Sequence, residues 1–256
     1  MKAHYQVILA YDGTHFAGFQ RQGRARTVQG VVESALRQIG WDERSLLAAG
    51  RTDTGVHAAG QVIAFSLDWA HSLQDLRNAL NAYLPEDVAA RSLAFANPDF
   101  HPRFSATARR YQYHLTCQPA RDPLLERFTW RIWPPVELPL LQEAAGCFLG
   151  MHDFSAYGTP PRAAGSTERT VSHSTWWSDK EQLVFDVTAN AFLYHMVRRM
   201  VFIQVAVARG KLPLAAFQAS LLGKPECISS LTGIAPAQGL VLVEVEYPPE
   251  TNNMVG

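Results

Sequence analysis

An α+β fold is what the sequence predicts, and three observations predict it. Apolar residues recur at helical spacing over some stretches, as at Val28, Val31, Val32, Ala35, Leu36 and Ile39. Elsewhere they alternate with polar residues, as at Tyr111, Tyr113 and Leu115. Both patterns occur in each half of a 256-residue chain, long enough for a substantial core in one large domain or two halves.

The first half, residues 1–100, reads in order as strand Tyr5–Tyr11, helix Val28–Ile39, strand Gln61–Leu67, helix Leu73–Leu84 and strand Val88–Phe95. Thr27 is placed to cap the first helix, and Ser72 with Asp75 forms a capping-box pattern ahead of the second. The prolines around Asn97–Pro102 mark a crossing into the second half, residues 101–256. There the strand through Tyr111 is followed by helix Leu140–Phe148 and strands Thr170–Trp177 and Leu183–Thr188. A long helix Ala191–Arg209 stopped by Gly210, a short helix Leu214–Leu222 and strand Leu240–Tyr247 complete it. The segment 158–166, with Pro160, Pro161 and Gly165, reads as a mobile surface loop that orders on RNA.

Composition is that of an ordinary globular protein, with 47% hydrophobic and 18% charged residues. The cysteines Cys117, Cys147 and Cys227 are odd in number and widely spaced, which fits a reducing cytoplasm and no zinc motif. The most apolar run, Met200 to Ala208, is far shorter than the ~20 residues a membrane-spanning helix needs, and it contains Gln204. No signal-peptide core forms behind Lys2, so neither secretion nor a membrane span is expected. Histidines such as His152 and His173 show no helical ligand spacing, and neither a metal nor an organic cofactor is expected.

Formal charge is zero, which by itself argues mildly against a nucleic-acid partner. Distribution argues the other way. Arg21, Arg24 and Arg26 lie in an acid-free stretch, six arginines fall between residues 101 and 131 against two acids, and residues 187–225 hold five bases and no acid. Of the 23 basic residues 19 are arginine, whose planar fork matches phosphate oxygens in pairs.

The segment Ala49-Gly50-Arg51-Thr52-Asp53-Thr54-Gly55-Val56-His57-Ala58 sets one carboxylate between two glycines and beside a fixed cation. Gly50 and Gly55 permit backbone angles that aim Asp53 away from the following strand, which makes it a candidate nucleophile. On physics alone an Asx-turn with a solvent salt bridge is the plainer reading.

The same segment resembles the G-R-T-D-x-G-V-H signature of the TruA family of tRNA pseudouridine synthases, with Thr54 where many members carry Ala. Further blocks resemble that family in family order. They are Tyr11-Asp12-Gly13, Gly18-Phe19-Gln20-Arg21-Gln22, Phe104 through Tyr111, Asn190-Ala191-Phe192-Leu193 with Met196-Val197-Arg198, and Gly239-Leu240. The resemblance implies two similar α/β halves sharing an extended, mostly antiparallel sheet, with helices on one side and a central cleft. It also implies isomerisation of uridine to pseudouridine at three adjacent positions on the 3′ side of the tRNA anticodon arm, by a homodimer.

By that resemblance Asp53 is the essential carboxylate. It attacks uracil C6 or ribose C1′, or assists cleavage to a glycal, and every route needs it ionised. Arg198 matches its cationic partner, and Tyr111 matches the tyrosine that stacks on an extruded base. Leu240 packs under that base or is a core leucine. Arg51 is expected on a backbone phosphate, and Gly50, Thr52, Gly55 and His57 support the loop. Arg21, Arg24, Arg109, Arg110 and Arg199 are candidates for RNA contact, and Phe16, Phe19 and Gln20 belong to an RNA-entering loop or an anchored one. Two rivals stay open, a non-catalytic tRNA-binding protein of the same fold and a carboxylate hydrolase of small nucleosides.

Overall fold

The computed structural model describes residues 2–161 and 165–249. The chain divides into two compact units, Met1–Thr107 with Val241–Gly256, and Ala108–Leu240.

The first unit is built on β1 (Ala3–Tyr11), β3 (His57–Leu67) and β4 (Val88–Phe95), with β1 antiparallel to both others. A two-residue β2 (Leu47–Ala48) pairs antiparallel with β3 on the edge away from β1. Strand β10 (Leu240–Glu246) returns to run parallel to β3, with Val241 opposite His57 and Leu242 opposite Ala58. A single cut near residue 100 therefore misses this return, because backbone pairing with β3 places the chain from Val241 onward in the first unit. Helix α1 (Val28–Gln38) buries Val28, Val32, Ala35 and Leu36, and Thr27 caps it by accepting from the Gly30 amide. Helix α2 (Leu73–Tyr83) carries the reciprocal Ser72–Asp75 capping box and buries Leu76 and Leu80.

The second unit is an antiparallel run of β5 (Ala108–Thr116), β9 (Gln182–Ala189), β8 (Glu168–Asp179) and β7 (Gly150–Asp153), with a short β6 (Trp130–Arg131) parallel to β5. Helix α3 (Leu138–Gly146) packs on β8 and on α4 (Met196–Ala208), and α5 (Leu214–Leu221) follows. The Trp176 indole N–H donates to Gln204 Oε1 at 2.7 Å, so the one polar residue in the apolar stretch of α4 is fully buried and paired. No helix of the described residues is long and apolar enough to cross a membrane. Both units mix antiparallel sheet with helices, as the α+β pattern predicts.

The long helix starts later than the apolar spacing predicts. The Asn190 side chain accepts from the Thr170 and Ala191 amides, Tyr194 pairs with Thr159 as an isolated bridge, and His195 sits at φ +67°. These contacts hold 190–195 as a loop, and α4 begins at Met196. Of the segment read as a mobile loop, residues 162–164 lie outside the described residues; Gly158 and Thr159 pack on Leu193 and Tyr194.

Candidate active site

Asp53 stands first in a tight turn closed by the Val56 amide, which donates to the Asp53 carbonyl at 3.1 Å. Gly55, third in the turn, has φ +78°, a left-handed conformation that costs glycine little. Gly50 differs from expectation. Its φ is not left-handed and a Cβ there would meet nothing within 4 Å, so neither strain nor crowding demands a glycine. Asp53 is half-buried, Arg51 and Thr54 are exposed, and Thr52 is buried.

Two glycines outside the motif shape the loop as much as Gly55 does. Gly18 has φ +85°, and a Cβ on it would stand 2.9 Å from the Thr52 carbonyl oxygen and 3.4 Å from the Asp53 carbonyl carbon. A Cβ on Gly13 would stand 2.0 Å from the Val56 carbonyl oxygen. The Phe19 amide donates to the Thr52 carbonyl at 3.0 Å, and the Gly55 amide to Phe16 at 3.3 Å. Residues 13–19 therefore lie directly on residues 52–56, backbone against backbone. Both glycines occur in the Tyr11-Asp12-Gly13 and Gly18-Phe19-Gln20 blocks, and that was the sequence signal for them. Phe16 and Phe19 are buried, which is the anchored reading of that loop.

His57 is buried, and its Nδ1 accepts the Gly13 amide hydrogen at 3.0 Å while Asp12 Oδ1 lies 3.1 Å from the same nitrogen. One ring nitrogen cannot accept from the first and donate to the second. The amide hydrogen cannot relocate, so Nδ1 is the acceptor in the contact with Gly13. The Asp12 carboxylate accepts from the Thr14 amide and hydroxyl. His57 thus fastens Gly13 beneath the turn.

Arg21 and Arg24 line an open groove of about 620 Å³ in the first unit, with Arg26, Arg37, Thr27 and Tyr83. Arg21 is paired with the fully buried Glu33 at 2.6 Å. Arg26 holds Asp87 through two hydrogen bonds of 2.7 and 2.8 Å and lies over the Phe16 ring. Arg24 is fully on the surface of the groove.

In the second unit Tyr111 is half-buried on β5, opposite Val187, with Phe192 edge-on at 5.1 Å. Arg109 donates to the Asn190 carbonyl at 2.9 Å. The same 190–195 loop is therefore gripped from β5 by two neighbours of the strand. Arg110 makes a forked pair with Asp186, a carboxylate with no exposure that also accepts from Gln112. Its guanidinium anchors the sheet, a role the RNA-contact expectation did not include.

Arg198 donates from Nε to the Ala235 carbonyl at 2.7 Å, and its own carbonyl accepts the Ala235 amide at 3.0 Å. Arg199 donates to the carbonyls of Gly233 at 2.8 Å and Ile228 at 3.4 Å, and burial lowers its pKa. The two arginines stitch the segment 228–235 to α4, a structural duty that the sequence reading gave to neither. The Tyr113 hydroxyl donates to Pro236 at 2.8 Å, and burial raises its pKa well above 10 against the opposing charge of Arg198. Gly239 lies under that ring, where a Cβ would stand 2.6 Å from it. Leu240 follows as a buried residue. Among the described residues no group of three or more His, Cys, Asp or Glu is placed to hold a metal ion.

A turn presenting one carboxylate lies against a glycine-containing segment in an α+β frame, and comparison with known proteins gives the family. The family model described as tRNA pseudouridine synthase matches residues 7–105 and 144–248. A protein named tRNA pseudouridine synthase A from Chloroflexus aurantiacus is 40% identical over 247 residues, 95% of this chain and 88% of its own length. Its namesake from Shouchella clausii is 38% identical over 93% of this chain and 91% of its own, and that from Syntrophotalea carbinolica 39% identical over 96% of each. The chain belongs to the tRNA pseudouridine synthase family and is an isomerase.

Proposed function

We propose that this protein isomerises uridine to pseudouridine at three adjacent positions on the 3′ side of the tRNA anticodon arm, with Asp53 as the nucleophile. The reaction breaks the bond from ribose C1′ to uracil N1 and joins C1′ to C5; C5 loses a proton and N1 gains one, so no oxidant or energy source enters. The observation that carries the reading is the Asp53 turn, whose direction is set by left-handed Gly55 and by the close approach of Gly18. In this reading Arg198 is the counter-ion that keeps the carboxylate ionised, and Tyr111 stacks on the flipped base. The cost of flipping, roughly a few kcal/mol, is offset by that stacking and by arginines at the vacated position.

Arg51, exposed beside the turn, contacts the phosphate next to the target nucleotide, and the groove holding Arg24 and Arg21 supports a path for the RNA backbone. A cytoplasmic homodimer, each tRNA spanning both subunits, joins modest basic patches into a longer track despite zero net charge on one chain. The test is incubation with unmodified tRNA without added metal or nucleotide, followed by mapping of pseudouridine for wild type, Asp53→Ala and Asp53→Asn. Product from wild type alone is the expected result. Binding without product favours the non-catalytic tRNA-binding protein, and free uracil favours the hydrolase.

A further inference from the structure

Two buried side chains outside the Asp53 segment reach the residues that precede Asp53. Tyr11, at the end of β1, shares a 2.8 Å hydrogen bond with the Thr52 hydroxyl. Gln61, on β3, has no exposure and donates from Nε2 to the Gly50 carbonyl at 3.1 Å. Leu9 pairs with Gln61 across β1 and β3, and after a register shift Tyr11 stands opposite Ala58. The Gln61 side chain lies close enough to the Tyr11 hydroxyl to act on its ionisation. Burial pushes the Tyr11 pKa up to about 12, so the hydroxyl stays protonated throughout the neutral range.

We propose that Tyr11 and Gln61 are positioning residues for Asp53, clamping residues 50 and 52 on either side of the exposed Arg51 and so fixing the direction in which the carboxylate leaves the loop. The inference rests on Asp53 being the nucleophile. Core packing alone does not account for the pair. Gln61 Oε1 is buried without a hydrogen-bond partner, a defect that an apolar side chain of similar size avoids. A protein keeps such a defect where the remaining polar atom has a task, and here that atom holds the backbone three residues before Asp53. The two clamps come from different strands, so the loop cannot pivot about either one.

The experiment measures single-turnover conversion of unmodified tRNA with enzyme in excess, tRNA affinity and thermal midpoint. Wild type and Asp53→Ala run beside Tyr11→Phe, Gln61→Met, Thr52→Val, Thr52→Ser and the double variant Tyr11→Phe/Thr52→Val. Tyr11→Phe, Thr52→Val and Gln61→Met each slow conversion by about tenfold or more with affinity held within about twofold, because a misaimed carboxylate loses rate and not binding. The double variant is no slower than the slower single one, since both remove the same bond. Thr52→Ser recovers most of what Thr52→Val loses. Tyr11→Phe and Gln61→Met at the wild-type rate overturn the proposal, as do rate losses that only follow falling affinity and thermal midpoint. An active Asp53→Ala or an inactive wild type overturns the nucleophile reading and this inference with it. A dead Asp53→Ala beside fast Tyr11→Phe and Gln61→Met sinks this inference alone. Should Tyr11→Phe not fold, Gln61→Met decides by the same criteria.

Discussion

Gly18 and Thr52 meet backbone to backbone: the Thr52 carbonyl oxygen accepts the Phe19 amide at 3.0 Å and would stand 2.9 Å from any Cβ on Gly18. Gly18 also sits at φ +85°. Alanine there meets strain and crowding together.

Gly18→Ala is therefore expected to cost about 1–3 kcal/mol of stability and to displace the Asp53 turn, lowering turnover beyond the loss of folded protein. Gly50→Ala, without left-handed φ or a close neighbour, costs less than half as much. Urea unfolding of both variants, with turnover per folded molecule, checks the contrast. Equal stability losses refute it.

Arg110→Ala strands the Asp186 carboxylate inside the sheet, with the Gln112 amide still donating to it. The expected cost is about 2–3 kcal/mol, below that of a fully buried pair because the arginine side chain is partly exposed. Replacing both partners, as Arg110→Met with Asp186→Leu, recovers most of it. Chemical denaturation of the singles and the double measures the coupling.

Arg198→Ala should lower turnover far more than tRNA affinity, since in the proposed mechanism it removes the counter-ion of Asp53. Arg199→Ala should act first on stability, because its guanidinium holds the carbonyls of Gly233 and Ile228. The two neighbours thus separate by assay. A thermal midpoint for Arg199→Ala equal to wild type, with weakened tRNA binding, would return Arg199 to the RNA.

Raising salt should weaken tRNA binding steeply through counter-ion release, and Arg24→Glu should reduce both the affinity and the slope of log Kd against log salt. A titration between low and moderate salt tests this. A flat slope refutes the arginine path.

Stability should fall steeply above pH 10. Burial raises the pKa of Tyr11 to about 12 and pushes Tyr113 and Tyr157 upward as well. The unfolded chain releases these protons near pH 10 while the folded protein retains them. The folded state then binds more protons, and stability drops as pH rises from 10 towards the folded values, by up to about 4 kcal/mol per unit for three groups. Urea midpoints from pH 8 to 11 measure the slope, and Tyr11→Phe should reduce it by one proton.

Periodicity and capping made most elements legible: Thr27 and Ser72–Asp75 mark α1 and α2 because their signals are local. The start of α4 was not legible, because Ala191–Leu193 suit a helix and are held out of it by contacts of Asn190 with Thr170 and of Tyr194 with Thr159, partners distant in sequence. Strands β2, β6 and β7 were missed because two to four residues are too few for a period. At the site, the Asp53 segment was visible as a motif. Gly13, Gly18 and Tyr11 showed only as members of family-like blocks and Gln61 only as the start of a strand, since their work depends on which backbone lies across them. Arg110 and Arg199 showed only charge, and charge does not tell a buried anion or carbonyl from an RNA phosphate.

The return of β10 to β3 has a consequence for synthesis. Residues 108–240 form a complete unit inserted in the other, and their strands and helices emerge from the ribosome before Val241 and Leu242 exist. The nascent chain can therefore close the inserted unit first, while the edge of β3 beside His57 waits uncovered for β10 to be translated.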